Sequence, residues 1–240
     1  MKADQKAVVF YFDEAKNVWV EIPGGKVNGD QITVDVDHFT KFAVFAVNQM
    51  SVVEEQTAKL SDIAGHWAEL DIRAALKVDI VDGYEDGTFK PNQFVSRAEF
   101  VVMLMNGLHP KAGAEQLPNY SDAAAIGEWA KGAIALAAKD RLVQGYEDGS
   151  FRPGAELTRA QLAVVLANAL GASSAGDGGS AVTFADAADI PAWASDAVGI
   201  VAKAGVMQGY AANRFAPMGT VSRAEAITVI NRLLRMQPQK

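Results

Sequence analysis

The chain has 240 residues, half of them hydrophobic and 21% charged, with a net charge of −7 at pH 7. That length supports one or two domains with real cores. The acidic balance leaves no broad basic surface for nucleic acid, no apolar run is long enough to cross a bilayer, and the absence of cysteine excludes disulfides, thiolate metal sites and cysteine nucleophiles. The first residues, Met1 to Gln5, lack the apolar core of a signal peptide, so the expectation is either a protein that stays inside the cell or a fragment of a longer exported chain.

Residues 1–48 read as β-rich. Ala7 to Phe12 is β-branched and aromatic, Val18 to Ile22 alternates until Pro23-Gly24-Gly25 stops it, Asn28-Gly29 signals a hairpin, and Lys41 to Val47 is a nearly all-apolar fourth strand. After the hairpin, Ile32, Val34 and Val36 share one face. Four short strands are a thin basis for an independent domain, so the segment is taken as the end of a larger β-domain. Trp19 and His38 are read as structural. Residues 49–60 are polar and Glu-containing, the composition of a linker.

From residue 61 the composition becomes Ala-rich and helical, and a pattern repeats. Asp62, Asp122 and Asp186 open three units. Trp67, Trp129 and Trp193 follow, then Gly83, Gly145 and Gly209, then Arg97, Arg159 and Arg223. The last three sets each step by 62 and then 64 residues. A fixed period means an array of one supersecondary unit in which neighbours cover each other's apolar faces. The units are placed at 61–108, 120–170 and 184–235, each with two helices. In the third unit Trp193, Ala197, Ile200, Val201 and Ala204 form one helical stripe. The second helices begin with a capping box: Ser96 with Glu99, Thr158 with Gln161, Ser222 with Glu225. The fold class expected is mainly α, three helix-loop-helix repeats in a pseudo-threefold, three-pronged bundle behind a small antiparallel β-segment, with the most apolar helix of each pair at the axis.

The recurring residues carry different readings. Phe89, Phe151 and Phe215, with the prolines Pro91, Pro153 and Pro217, are scaffolding. The glycines are expected to supply positive φ and to let a ligand approach the backbone. The tryptophans suit either a buried core or a sugar-stacking face. Glu85, Asp86, Glu147 and Asp148 invite a calcium reading, but the spacing fails the twelve-residue loop pattern and the third unit has Ala211 and Ala212 there, so a solvated turn is the better reading. The arginine sits at the first helical position, where a cation is disfavoured by a few tenths of a kcal/mol up to about 1. Something anionic should offset that cost three times over: either the internal Asp62, Asp122 and Asp186, or an external anion held by the arginine and the free N–H groups of the helix start.

The pattern Ser-Asp … Trp-Ala … Gly-Tyr-x-Asp-Gly-x-Phe-x-Pro … Thr/Ser-Arg-Ala-Glu resembles the S-layer homology (SLH) family of bacterial cell-wall anchoring modules, in three tandem copies over residues 60–235. The resemblance implies a non-catalytic, extracellular, wall-associated module. It implies binding to an anionic secondary cell-wall polysaccharide, often one carrying a pyruvate ketal on N-acetylmannosamine, in grooves between repeats. On that reading Arg97, Arg159 and Arg223 face the ketal carboxylate. The aspartates and tryptophans shape the sugar pocket, and Gly83, Gly145 and Gly209 line it. No cofactor, metal, nucleic acid or membrane insertion is expected; other surface-layer subunits are possible partners.

The chain departs from the family pattern at several positions. Gln161 stands where Glu is usual, Asp79 and Arg141 replace the glycine found as Gly205, and the third loop carries Arg214, so the three grooves need not be equivalent. Two further hypotheses compete with the anchor: a helical scaffold that binds proteins, and a glycosidase. Against the latter, His38, His66 and His109 do not cluster, and no carboxylate pair recurs in all units apart from the opening Asp.

Overall fold

The computed structural model describes residues 5–13, 18–22, 26–28, 31–34, 36, 40–48, 60–108, 116–171 and 184–236. His38, His109, most of the 49–60 linker and most of the segments between repeats lie outside the described residues. The chain separates into two compact units, residues 1–55 and 56–240.

The first unit holds β1 (Gln5–Asp13), β2 (Val18–Glu21), β3 (Lys26–Asn28), β4 (Gln31–Thr33) and β5 (Phe42–Asn48). β1 is the centre of an antiparallel sheet ordered β2-β1-β5, with Phe12 opposite Trp19 and Val8 opposite Phe45. The hairpin signalled by Asn28-Gly29 is present as β3 paired with β4, so the first unit has one strand more than the four anticipated.

The second unit contains six α-helices among the described residues: α1 (Glu69–Lys77), α2 (Arg97–Leu108), α3 (Glu128–Lys139), α4 (Arg159–Ala169), α5 (Ser195–Lys203) and α6 (Arg223–Met236). The first helix of each pair follows the dipole rule. Glu69 and Asp71, Glu128, and Asp196 stand in the first turns, and Lys77, Lys139 and Lys203 in the last. Each of these helices ends in a Schellman motif. The amides of Ile80, Leu142 and Val206 donate to the carbonyls of Ala75, Ala137 and Val201, which forces Asp79, Arg141 and Gly205 to φ of 55°, 58° and 73°. The glycine missing from two repeats is therefore replaced by residues held in the left-handed region.

The second helices carry all three capping boxes and are buried almost all round. They pack in a ring: α2 against α3, α4 against α5, α6 against α1. The last contact joins the third repeat to the first and closes the array. At the centre, the Val95 amide donates to the Val221 carbonyl, Val221 to Leu157, and Leu157 to Val95, at 2.9, 2.9 and 3.2 Å. These three side chains are buried, as are Phe89, Phe151 and Phe215.

Candidate functional site: grooves shared by three repeats

Each repeat loop is built on an aspartate. Both carboxylate oxygens of Asp62 accept backbone N–H groups, from Phe89 and Lys90. Asp122 does the same for Phe151 and Arg152, and Asp186 for Phe215 and Ala216, every bond at 2.7 Å. The second amide in each case belongs to the residue before proline. That residue has φ of 58°, 58° and 55° in the three repeats, although none is glycine. Two charge-assisted bonds thus hold a backbone conformation that the sequence does not otherwise favour. The Phe151 amide holds the Asp122 carboxyl below the usual carboxylate range, with Arg152 adding to it. For Asp186, burial pushes upward and the Phe215 and Ala216 amides outweigh it, so the net shift is also down.

The loop acids are tied in as well. Asp86 accepts from Thr88 and pairs with Lys90 at 3.1 Å; Asp148 accepts from Ser150 and pairs with Arg152 at 2.8 Å. They brace the turn, which goes beyond the solvated turn expected. In the third loop Asn213 takes the left-handed place of Gly87 and Gly149, as its short side chain allows.

The glycines do not supply positive φ: Gly83, Gly145 and Gly209 are absent from the left-handed region, which Gly65, Gly87, Gly149, Gly171 and Gly205 occupy. Their constraint is close approach. A Cβ on Gly145 would lie 2.8 Å from the Tyr120 ring and 3.1 Å from the Ser150 carbonyl oxygen, and one on Gly209 3.0 Å from both the Phe184 ring and the Arg214 carbonyl oxygen.

The arginines do not pair with Asp62, Asp122 or Asp186. Each reaches into the loop of the next repeat around the ring. Arg97 Nη2 donates to the Gln144 carbonyl at 2.6 Å. Arg159 donates to the carbonyls of Phe215 and Gln208 and to the Tyr210 hydroxyl. Arg223 donates to the carbonyls of Phe89 and Asp82. Their guanidinium groups lie over rings of that same loop: Arg97 over Tyr146 and Phe151, Arg159 over Tyr210 and Phe215, Arg223 over Tyr84 and Phe89, at 4.2–5.2 Å. All three arginines are at most 7% exposed. The first helix amides are occupied too. Arg97 and Ala98 donate to Ala155 and Pro153, Arg159 and Ala160 to Gly219 and Pro217, Arg223 and Ala224 to Gln93 and Pro91. The helix start therefore offers no free N–H there, and carbonyl oxygens together with ring faces offset the cation's cost.

The tryptophans are not core residues. Trp67, Trp129 and Trp193 are 64%, 60% and 60% exposed, so the buried stripe of α5 begins at Ala194 and Ala197. Two grooves show what they face. One, of about 830 Å³, joins Gly145 and Tyr146 of repeat 2, the α4 face around Gln161 and Asn168, Trp193 of repeat 3, and Arg97 of repeat 1. The other, of about 310 Å³, joins Gly83 and Tyr84 of repeat 1, the α2 face around Glu99 and Asn106, Trp129 of repeat 2, and Arg223 of repeat 3. Every groove of this design draws on all three repeats. The aspartates stand behind the loops and outside these linings.

Sequence reasoning missed the tyrosines. Tyr84 lies between Arg223 and Lys90, and Tyr146 between Arg97 and Arg152. The Tyr146 hydroxyl accepts from Gln161 Nε2 at 2.8 Å, whereas the Tyr210 hydroxyl donates to Glu225 Oε1. Burial, and then that bond to Glu225, push Tyr210 up to about 12. Their recurrence in the Gly-Tyr pair of all three loops was the available signal.

A closed ring of three helical pairs, with aromatic and arginine-lined grooves between them, defines a repeat-built binding module. The S-layer homology domain model matches residues 59–101, 119–163 and 183–227, and the chain belongs to that family. It is 32% identical over 96% of its length to an amylopullulanase of Thermoanaerobacterium thermosulfurigenes. It is 31% identical over 65% to a cellulosome-anchoring protein of Acetivibrio thermocellus, and 30% identical over 70% to S-layer protein EA1 of Bacillus anthracis. The matches span only 12%, 35% and 19% of those proteins.

Proposed function

We propose that this chain is a non-catalytic module that anchors its protein to the bacterial cell wall by binding an anionic wall polysaccharide in the grooves between repeats. The observation that carries the reading is the pairing, in one groove, of an exposed tryptophan with a buried, ring-stacked arginine. The indole offers a sugar-stacking face, and the guanidinium a charge for a carboxylate. Family membership and likeness to an anchoring protein and to S-layer proteins support the same reading. The amylopullulanase likeness covers 12% of that protein, and its catalytic name stays with it. The ligand proposed is a pyruvate-ketal-bearing N-acetylmannosamine unit. Arg97, Arg159 and Arg223 face its carboxylate, Trp67, Trp129 and Trp193 its ring, Gly83, Gly145 and Gly209 line the floor, and Asp62, Asp122 and Asp186 hold the loops that shape it.

With a net charge of −7, the chain gains no long-range steering toward an anionic polymer. Affinity is local, multiplied by several grooves engaging one polymer, and weakens only modestly with salt. The test is sedimentation with purified wall sacculi before and after the polysaccharide is stripped. Binding is expected to the former and lost with the latter. Binding that survives stripping overturns the polysaccharide and points to a protein or peptidoglycan partner.

A further inference from the structure

The three arginines are not equally satisfied. Arg159 has three hydrogen-bond acceptors and stands 4.0 Å from the Glu225 carboxylate. Arg223 has two carbonyl acceptors and shares its groove with Glu99. Arg97 has one, the Gln144 carbonyl, and its buried Nε has no partner. Burial, with no carboxylate to offset it, pushes the Arg97 guanidinium down from its usual range; the groups that act the other way are Tyr146 and Tyr120.

The difference traces to one residue. The third helical position is Glu99 in repeat 1 and Glu225 in repeat 3, but Gln161 in repeat 2. All three complete their capping boxes, so the cap does not distinguish them. What differs is charge. Glu225 takes the Tyr210 hydroxyl proton and leaves a carboxylate beside Arg159, whereas Gln161 presents its amide to Tyr146 and leaves the inner end of the larger groove without a carboxylate. The acids that do line that groove are accounted for: Asp148 is paired with Arg152, and Glu147 and Asp196 are exposed at the rim.

We propose that the repeat-2 groove, closed by Arg97 and Trp193, takes the carboxylate of the acidic sugar, and that Gln161 is the residue that sets this preference. The proposal rests on the polysaccharide reading above. It makes Glu99 and Glu225 local repellents of an anion, leaving the other grooves better suited to uncharged parts of the polymer.

The test uses the whole chain, ¹⁵N-labelled, because each groove reports through its own indole N–H signal: Trp193 for repeat 2 and Trp129 for repeat 1, assigned by Trp193→Phe and Trp129→Phe. The probe is the pyruvate ketal of methyl N-acetylmannosaminide, with the ketal-free glycoside as comparison. The Trp193 signal should saturate at roughly tenfold lower ketal concentration than Trp129, and respond more weakly to the neutral sugar. Gln161→Glu keeps the cap, as the other repeats demonstrate. It should weaken binding at Trp193 at least about tenfold, the scale of one added like charge near the site, without moving Trp129. Glu99→Gln should strengthen binding at Trp129. If Trp129 responds first, or Gln161→Glu leaves Trp193 unchanged, the proposal is overturned while the wall-polymer reading stands. The same holds if stripped sacculi lose the protein yet the ketal moves neither signal. If neither ketal nor intact sacculi bind, both fall.

Discussion

The cost of the recurring arginine is met by the neighbouring repeat, not by an aspartate, and this sets what its removal does. Truncation to alanine takes out stacking, hydrogen bonds and a partly compensated buried charge together. The losses should follow the number of acceptors: about 3 kcal/mol for Arg159→Ala, somewhat less for Arg223→Ala and about 1–2 for Arg97→Ala, read from denaturant melts. The reverse order would mean that the carbonyl contacts are incidental. The left-handed helix ends make a second prediction. Nothing lies within 4 Å of a Cβ built on Gly205, so Gly205→Ala costs only its φ of 73°, about 1 kcal/mol, whereas Arg141→Gly relieves strain and should gain a few tenths. Arginine and tryptophan were legible in the sequence as recurring site residues. The tryptophan's exposure and the arginine's partners were not, because each depends on a helix from another repeat.

At the level of the loop and the helix it feeds, the aspartate clamp sets the response to acid. Asp122 and Asp186 have folded pKa values below those of the unfolded chain. Their contribution is therefore complete above about pH 4 and disappears as pH falls through the folded values. The melting temperature should drop on acidification from pH 5 to 2.5, and Asp122→Asn should lower it at pH 7 while flattening that dependence. An unchanged slope in the variant would remove Asp122 from the account. The glycine floor is likewise an element-level device. Gly145→Ala drives a methyl into the Tyr120 ring and the Ser150 carbonyl and should cost about 1–3 kcal/mol. Gly83→Ala should cost less, because its nearest neighbour is the Leu60 Cδ2 tip, which can rotate away. The expectation of positive φ at these glycines failed because sequence shows that a side chain is excluded without showing which neighbour excludes it.

For the repeat unit as a whole, the ring is closed by α6 on α1 and by the three-way bonds among Val95, Leu157 and Val221. An open array loses stability in increments as repeats are removed. A closed one loses its closing bonds from both ends at once. Truncation after residue 183 strips Arg159 of its acceptors, leaves the Val95 amide and the Leu157 carbonyl unpaired, and uncovers both α1 and α4. The truncated chain should show no cooperative thermal transition by circular dichroism. A sharp melt at slightly lower temperature would mean that the ring is not the cooperative unit.

The sequence alone determined the period, the two helices per unit, the capping boxes and the family, because these rest on local patterns that repeat within one chain. It also marked Gln161, Asp79 and Arg141 as departures. Only the tertiary structure decided how the marked residues combine. Read along the chain, Arg97 belongs with Gly83 and Trp67; in the folded ring it belongs with Gly145 and Trp193. The reason is the direction of closure. Each second helix starts against the next repeat's loop, and Arg97 turns from its own helix end to the carbonyls and rings of that loop. A one-residue change in repeat 2 thereby alters the charge felt by an arginine of repeat 1.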